Sequence, residues 1–231
     1  MYTSLLINGA SSISLALAFK FLPWASILER TRRHTAKFLR IENILFFSRD
    51  TSDNSNSRPD SLALTSFTLP DRAETLQYQD ELETNFRLPP ALLLKRLATG
   101  KRVIFALQDD RIIAILWLAF DGQFIAETGM TLTLRLNEFV TFNAVTLPEW
   151  RSRGLSTALN QVAYEYCAEL GRTVQLTWRS TTNRSALRVA EKLQQKPVGR
   201  MSCVWLLGHR IWCRYDQEND MKILMSDHRR H

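Results

Sequence analysis

Residues 145–159 constrain this chain more than any other stretch: an apolar strand end passes through Pro148 and Arg151-Ser152-Arg153-Gly154 directly into a helix. The first N–H groups of a helix have no partner within it and carry the positive end of its dipole, so such a junction is suited to hold an anion. Gly154 has no Cβ to keep a ligand away from that backbone. Arg151 and Arg153 add charge and forked donors that match phosphate oxygens, although two arginines in a turn can also be a solvated basic surface. A strand that feeds a helix in this way belongs to a mixed α/β architecture.

The rest of the chain supports that class. Residues 62–69 alternate as a strand, and Asp71 with Glu74 three residues later forms a capping pair that opens a helix to about Phe86. A second short helix follows Pro89 and Pro90 and stops at Gly100. Residues 103–107 and 112–120 read as a hairpin about Asp109-Asp110, with Asp121-Gly122 as the next turn. Residues 132–136 and 139–145 follow as two short strands or one interrupted strand. Beyond the junction, Leu155, Leu159, Val162, Ala163, Tyr166 and Leu170 recur at helical spacing up to Gly171, which places Tyr166 in the core and leaves Tyr164 exposed. Val174, Leu176 and Trp178 alternate as a strand, and residues 185–193 form a helix behind the cap-type residues Thr181, Thr182 and Asn183. Residues 201–207 and 211–215 supply the last two strands. The expected fold is α/β (α+β mixed): a twisted mixed sheet of about six to seven strands with helices on both faces.

The termini read differently. Residues 5–19 carry no charge, Lys20 interrupts the run, and Arg30, Arg32, Arg33, His34, Lys37 and Arg40 follow. Positive charge placed after the apolar run is the reverse of a signal peptide. Ser4, Asn8, Ser11, Ser12 and Ser14 dilute a stretch that would need ~20 mostly apolar residues to span a bilayer. Residues 1–58 are therefore expected to be a basic, amphipathic helical extension and linker. It either packs on the main domain or rests on an anionic membrane surface or nucleic acid. The linker is the Ser-, Asn-, Asp- and Pro-rich stretch 50–60, the main domain is expected over 59–216, and 217–231 is a tail.

Lys and Arg number 30 against 23 Asp and Glu, a net charge of +7 that suits anionic ligands without requiring a nucleic-acid partner. Cys167, Cys203 and Cys213 are odd in number and lack metal-ligand spacing, so three reduced thiols in a cytosolic setting are expected rather than a disulfide. His34, His209, His228 and His231 form no ligand pair, and metal chemistry has no support. The expected location is cytoplasmic, with peripheral contact at the inner membrane surface as the alternative raised by the N-terminal segment.

Two motifs on these elements carry a family likeness. Arg151-Ser152-Arg153-Gly154-Leu155-Ser156, with Asn183-Arg184-Ser185 leading into Glu191-Lys192-Leu193 and Pro197-Val198-Gly199, resembles the GCN5-related N-acetyltransferase (GNAT) superfamily over roughly residues 60–215. The first matches the family's pyrophosphate loop, Gln/Arg-x-x-Gly-x-Gly/Ala, with Ser156 where glycine or alanine is usual. The likeness implies acetyl-coenzyme A (acetyl-CoA) as acyl donor. Its pyrophosphate would lie on Arg151, Ser152, Arg153, Gly154, Leu155, Ser156 and Thr157, and its pantetheine arm along Val145, Thr146 and Leu147. Asn183 would sit beside it, although the residue also reads as a simple N-cap. The implied activity is acetyl transfer to a primary amine of a small molecule, a peptide or an RNA-linked amino acid. Within this resemblance Ala190 stands where many relatives have a tyrosine that protonates the departing thiolate, and Gln194-Gln195 replaces Gly-Phe. Glu138, on the strand leading into the junction, is the leading candidate for the base, and a solvated turn residue is its plain alternative. Glu127 and Glu149 are its rivals, and the acid is unassigned. A non-catalytic acyl-CoA-binding sensor, and a membrane-associated transferase using a longer acyl donor, are the alternative functions.

Overall fold

The computed structural model describes residues 39–51, 62, 64–218 and 223–227. The expected helical extension and its membrane or nucleic-acid contact fall on residues 1–38, outside the described residues. An eight-stranded sheet runs in the order β10, β9, β1, β8, β7, β4, β3, β2, built from β1 (Leu39–Asp50), β2 (Ser66–Thr68), β3 (Arg102–Gln108), β4 (Arg111–Ala119), β7 (Glu138–Thr146), β8 (Val174–Ser180), β9 (Lys196–Leu206) and β10 (His209–Gln217). A three-stranded sheet pairs β5 (Gly122–Ile125), β6 (Met130–Thr133) and β11 (Leu224–Asp227). Both sheets are antiparallel apart from β7 and β8, which run parallel.

The mixed sheet with helices on both faces is as expected, and the strands are more numerous. Two boundaries are corrected. Residues 39–50, assigned from sequence to the extension and linker, form β1 in the middle of the large sheet, paired to β8 on one side and β9 on the other. A central strand is buried on both faces, so Phe46, Phe47, Ser48 and Arg49 are all buried in succession and the period-2 alternation that marks a strand is lost. Residues 224–227, assigned to the tail, pair with β6.

The helices are α1 (Arg72–Gln77), α2 (Gln79–Phe86), α3 (Pro90–Ala98), α4 (Leu155–Glu169) and α5 (Arg184–Lys192). The capping box is present at α1, where the Glu74 N–H donates to Asp71 Oδ1 at 2.8 Å and the Asp71 N–H to Glu74 Oε2 at 2.9 Å. The single helix expected over 71–86 breaks at Tyr78, whose ring packs edge-on against Phe105 at 5.4 Å. Leu82, Phe86 and Leu93 bury α2 and α3 against Phe105, Trp117 and Val140 on one sheet face. Leu155, Leu159 and Ala163 bury α4 against Ile104, Leu116 and Phe139 on the other. Each fully buried leucine contributes about 1.5–3 kcal/mol.

Asp109 and Asp110, both at positive φ, make the expected two-residue hairpin turn, and Leu207 and Gly208 repeat it between β9 and β10. The second turn sets Cys203 opposite Cys213, and the two form a disulfide in place of the expected free thiols. Only Cys167 is free, buried in α4.

Candidate functional site

The large sheet opens where its one parallel pair ends. β7 and β8 are in register only from Glu138–Val174 to Val140–Leu176, after which β7 continues to Thr146 and β8 to Ser180 without pairing to each other. On its other side β7 pairs Phe142 with Trp117 and Val145 with Ile115, so Asn143 and Ala144 together oppose Leu116. This is a β-bulge, with Asn143 at φ 46°, and it leaves two residues of backbone outside the ladder. The strands bound a cleft of about 1100 Å³.

One end of the cleft is the predicted junction. Pro148–Trp150 make a single 3-10 turn, Ser152 (φ 63°) and Gly154 (φ 85°) take left-handed backbone, and α4 begins at Leu155 with no side chain capping it. Leu155, Ser156 and Thr157 line the cleft, so the orphan N–H groups of the first turn lie at its wall. Arg151 lines it too, with its Nε donating to the Thr146 carbonyl at 3.3 Å.

Not every expected residue reaches this space. Val145, Thr146, Arg151, Ser152, Gly154, Leu155, Ser156, Thr157 and Asn183 line the cleft, whereas Leu147 and Arg153 do not. The Leu147 N–H is taken by the Ile113 carbonyl at 3.0 Å. The Arg153 guanidinium lies over the Trp150 ring at 4.6 Å and donates to the Glu149 carbonyl at 3.2 Å. Asn183 caps α5, accepting at Oδ1 from the Ala186 N–H at 3.1 Å and the Ser185 hydroxyl at 2.9 Å, while standing at the cleft wall.

Glu138 is not brought to the site. It lies at the far end of β7 from Thr146, 4% exposed, accepting from the Arg135 N–H at 2.8 Å and its guanidinium at 3.0 Å. Glu149 does not line the cleft either, and Glu127, on the β5–β6 turn, does. The Glu127 carbonyl accepts from Trp205 Nε1 at 3.0 Å, which fixes that turn against β9.

Beneath the cleft runs a buried polar network with no sequence signature. Tyr164 donates to Gln175 Oε1 at 2.8 Å, and Gln175 Nε2 donates to Thr141 Oγ1 at 2.8 Å and Asn160 Oδ1 at 2.9 Å. Asn160 in turn donates to the Ser156 carbonyl at 2.8 Å, and Gln195 donates to the Tyr164 hydroxyl at 3.1 Å. The first turn of α4 is thereby tied to β7 and β8 at the point where they part. Tyr164, expected to be exposed, is 1% exposed, and Tyr166 is the half-buried one. Burial raises the Tyr164 pKa above its ordinary value, against the opposing pull of its Gln195 hydrogen bond.

The cleft is strongly cationic. Lys95, Arg96, Lys101, Arg151, Arg179, Arg188 and Lys192 line it, and Glu127 is the only carboxylate that does among the described residues. Burial lowers the Arg96 and Arg179 pKa values to about 10, which leaves both charged at neutral pH.

The mixed sheet, with its parallel pair splaying beside an uncapped, glycine-started helix, has the fold of solved GCN5-related N-acetyltransferases. A GNAT-family acetyltransferase from Colwellia psychrerythraea superposes with a TM-score of 0.50 at 8% identity, over 72% of this chain and 55% of that one. A Drosophila protein solved as a structural-genomics target gives 0.50 at 12% identity over 80% and 58%, and a Novosphingobium aromaticivorans protein described as a GNAT-family acetyltransferase gives 0.48 at 16% over 71% and 63%. The chain thus spans less than two thirds of the length of each. No protein-family model and no curated protein matches the sequence.

Proposed function

We propose that this protein is an acyl-CoA-dependent N-acyltransferase that moves acetyl from acetyl-CoA to a primary amine. The observation that carries the reading is the adjacency of two features: unpaired backbone on β7 where it leaves β8, and the uncapped N-terminus of α4 a few residues on. The residues fit such a donor. Leu155, Ser156 and Thr157 N–H groups and Arg151 would hold the pyrophosphate, Val145 and Thr146 would pair with the pantetheine arm as an added strand does, and Asn183, at the start of α5, would meet it from the opposite wall.

When bound, acetyl-CoA supplies a thioester carbonyl to the amine lone pair, so that C–N forms as C–S breaks, the acetyl moves to nitrogen and coenzyme A leaves as the thiol. The chain's own groups divide the remaining tasks. The bulge at Asn143 and Ala144 offers backbone N–H groups outside the ladder, where charge on the carbonyl oxygen needs a donor. Glu127 takes the place expected of Glu138 as the group that receives the ammonium proton. Ala190 is buried and no tyrosine lines the cleft among the described residues, so no side chain is assigned to protonate the thiolate. A thiol pKa of ~8.5 lets it leave without one.

The test is release of free thiol from acetyl-CoA over a panel of amines. Turnover with at least one amine, lost in Glu127→Gln, is the expected result. Tight donor binding with no turnover across the panel would favour a non-catalytic acyl-CoA sensor instead.

A further inference from the structure

The seven cations of the cleft come from three places. Arg179, on β8, lies over the Phe47 ring at 5.3 Å, and Arg151, Arg188 and Lys192 come from the junction and α5, where donor phosphates account for them. Lys95, Arg96 and Lys101 come from α3 and the turn after it, on a different element from the junction, with Arg96 against Phe142, and Glu127 lines the same cleft. Resting on the acyl-CoA reading above, we propose that the acceptor is a primary amine that also carries an anionic group, carboxylate or phosphate, held by Arg96 and Lys101 while its nitrogen faces Glu127.

Arg96 carries most of the argument. Its guanidinium lies 4.8 Å from the Trp117 ring centroid and 5.3 Å from that of Phe142, half-buried, and no carboxylate pairs with it among the described residues. Desolvation is the only cause lowering its pKa, which is what a buried charge without a counter-ion shows. An anion in the cleft would supply the missing partner, and a planar guanidinium accommodates a carboxylate or phosphate edge in two parallel hydrogen bonds. Phe142 immediately precedes the bulge, so this anion would sit next to the backbone that faces the acyl group.

Lys101 extends the same surface. Its Nζ donates to Thr99 Oγ1 at 3.2 Å, and its pKa is lowered first by burial and then by Arg96. Asp121 pulls the Lys101 pKa the other way, but less than burial and Arg96 lower it, so an anion bound to both cations would relieve their mutual repulsion. Glu127 supplies the opposite sign on the wall formed by the β5–β6 turn, held there by Trp205 through its own carbonyl and by Arg210 through the neighbouring Thr128 carbonyl at 2.6 Å. A cationic wall facing one carboxylate matches a zwitterion, and it repels polycationic amines.

The test compares amines in matched pairs: amino acids against their amides, and aminoalkyl phosphates against the corresponding amino alcohols. In the wild-type protein the anionic member is expected to have a KM at least about tenfold lower, in keeping with a hydrogen-bonded charge pair. The pair that shows the larger ratio distinguishes carboxylate from phosphate. Arg96→Gln and Lys101→Gln, each checked for an unchanged melting profile, are expected to erase the ratio while calorimetric acetyl-CoA affinity stays within about twofold. Equal or better use of neutral or polycationic amines by the wild type, or a ratio unchanged in both variants, overturns the acceptor proposal alone. Failure of the wild type to bind acetyl-CoA overturns the donor reading and this proposal with it.

Discussion

Gly154 holds φ 85° at the head of α4, a conformation that costs an L side chain roughly 1 kcal/mol or more. Gly154→Ala is expected to lower stability by about that amount and to weaken acetyl-CoA binding at least about tenfold, because the added methyl stands where backbone must meet phosphate. Calorimetry alongside urea melts checks both, and unchanged affinity would remove the backbone cradle from the account. For Glu127→Gln, kcat is expected to fall about a hundredfold at constant donor affinity. Glu138→Gln should act on stability through Arg135 and leave the chemistry intact, and the reverse pattern in steady-state kinetics would return the base to β7. Cys167 gives a pH signature. Burial pushes its thiol up to about 12 from an ordinary 9, so the unfolded chain ionises it first and binds fewer protons than the folded one above pH 9. Stability conferred by the protonated thiol is present below that pH and declines as pH rises, by up to about 1.4 kcal/mol between pH 9 and 10. Arg96 and Arg179 act with the opposite sign above about 10, since the unfolded chain keeps those protons longer. Subtracting melts of Cys167→Ala from wild type isolates the thiol, and a flat difference over that unit of pH would contradict its burial. The position of Arg151, Ser156 and Gly154 at the cleft was legible because it follows from their neighbours in sequence. That Glu127 lines the cleft while Glu138 does not was hidden, since Glu138 and Thr146 are eight residues apart on one strand, ~26 Å at the rise of extended chain, and only the sheet shows which end is open.

The elements around the cleft were legible in proportion to how local their signals are. The Asp71–Glu74 capping box, the Asp109-Asp110 turn and the periodicity of α4 are contained within a few residues, and all three are present. β1 was hidden because a strand buried on both faces shows no alternation, and because Arg40 continues a run of upstream positive charge. The Cys203–Cys213 bond was hidden because it depends on the register that the Leu207-Gly208 turn imposes. The network joining Tyr164, Gln175, Asn160, Thr141 and Gln195 draws on α4, β7, β8 and the connection before β9, and no spacing marks it. Gln175→Leu is expected to cost roughly 2–4 kcal/mol, because it strands several buried partners at once. Donor affinity should fall as well, since Asn160 would lose one of the contacts that orient it toward the Ser156 carbonyl. Hydrogen exchange at Leu155, Ser156 and Thr157 reports the loosening directly, and unchanged protection there would show that the network holds the core without holding the site.

At the scale of the whole molecule, one sheet is made to do two jobs. Its paired parts bury a core on each face, and the wedge where β7 and β8 part opens onto the cationic cleft. No helix among the described residues is long and apolar enough to cross a membrane. With seven cations and one carboxylate at the cleft wall, donor binding is expected to weaken several-fold as ionic strength rises from 0.05 to 0.5 M, because the charges are only partly shielded from salt. The measurement that bears most directly on the central claim is calorimetric titration of acetyl-CoA into the wild-type protein and Gly154→Glu, whose carboxylate would stand in the phosphate cradle. Saturable binding at one site per chain in the wild type, abolished in the variant, is the predicted result; no binding by the wild type, or equal binding by both, would contradict it.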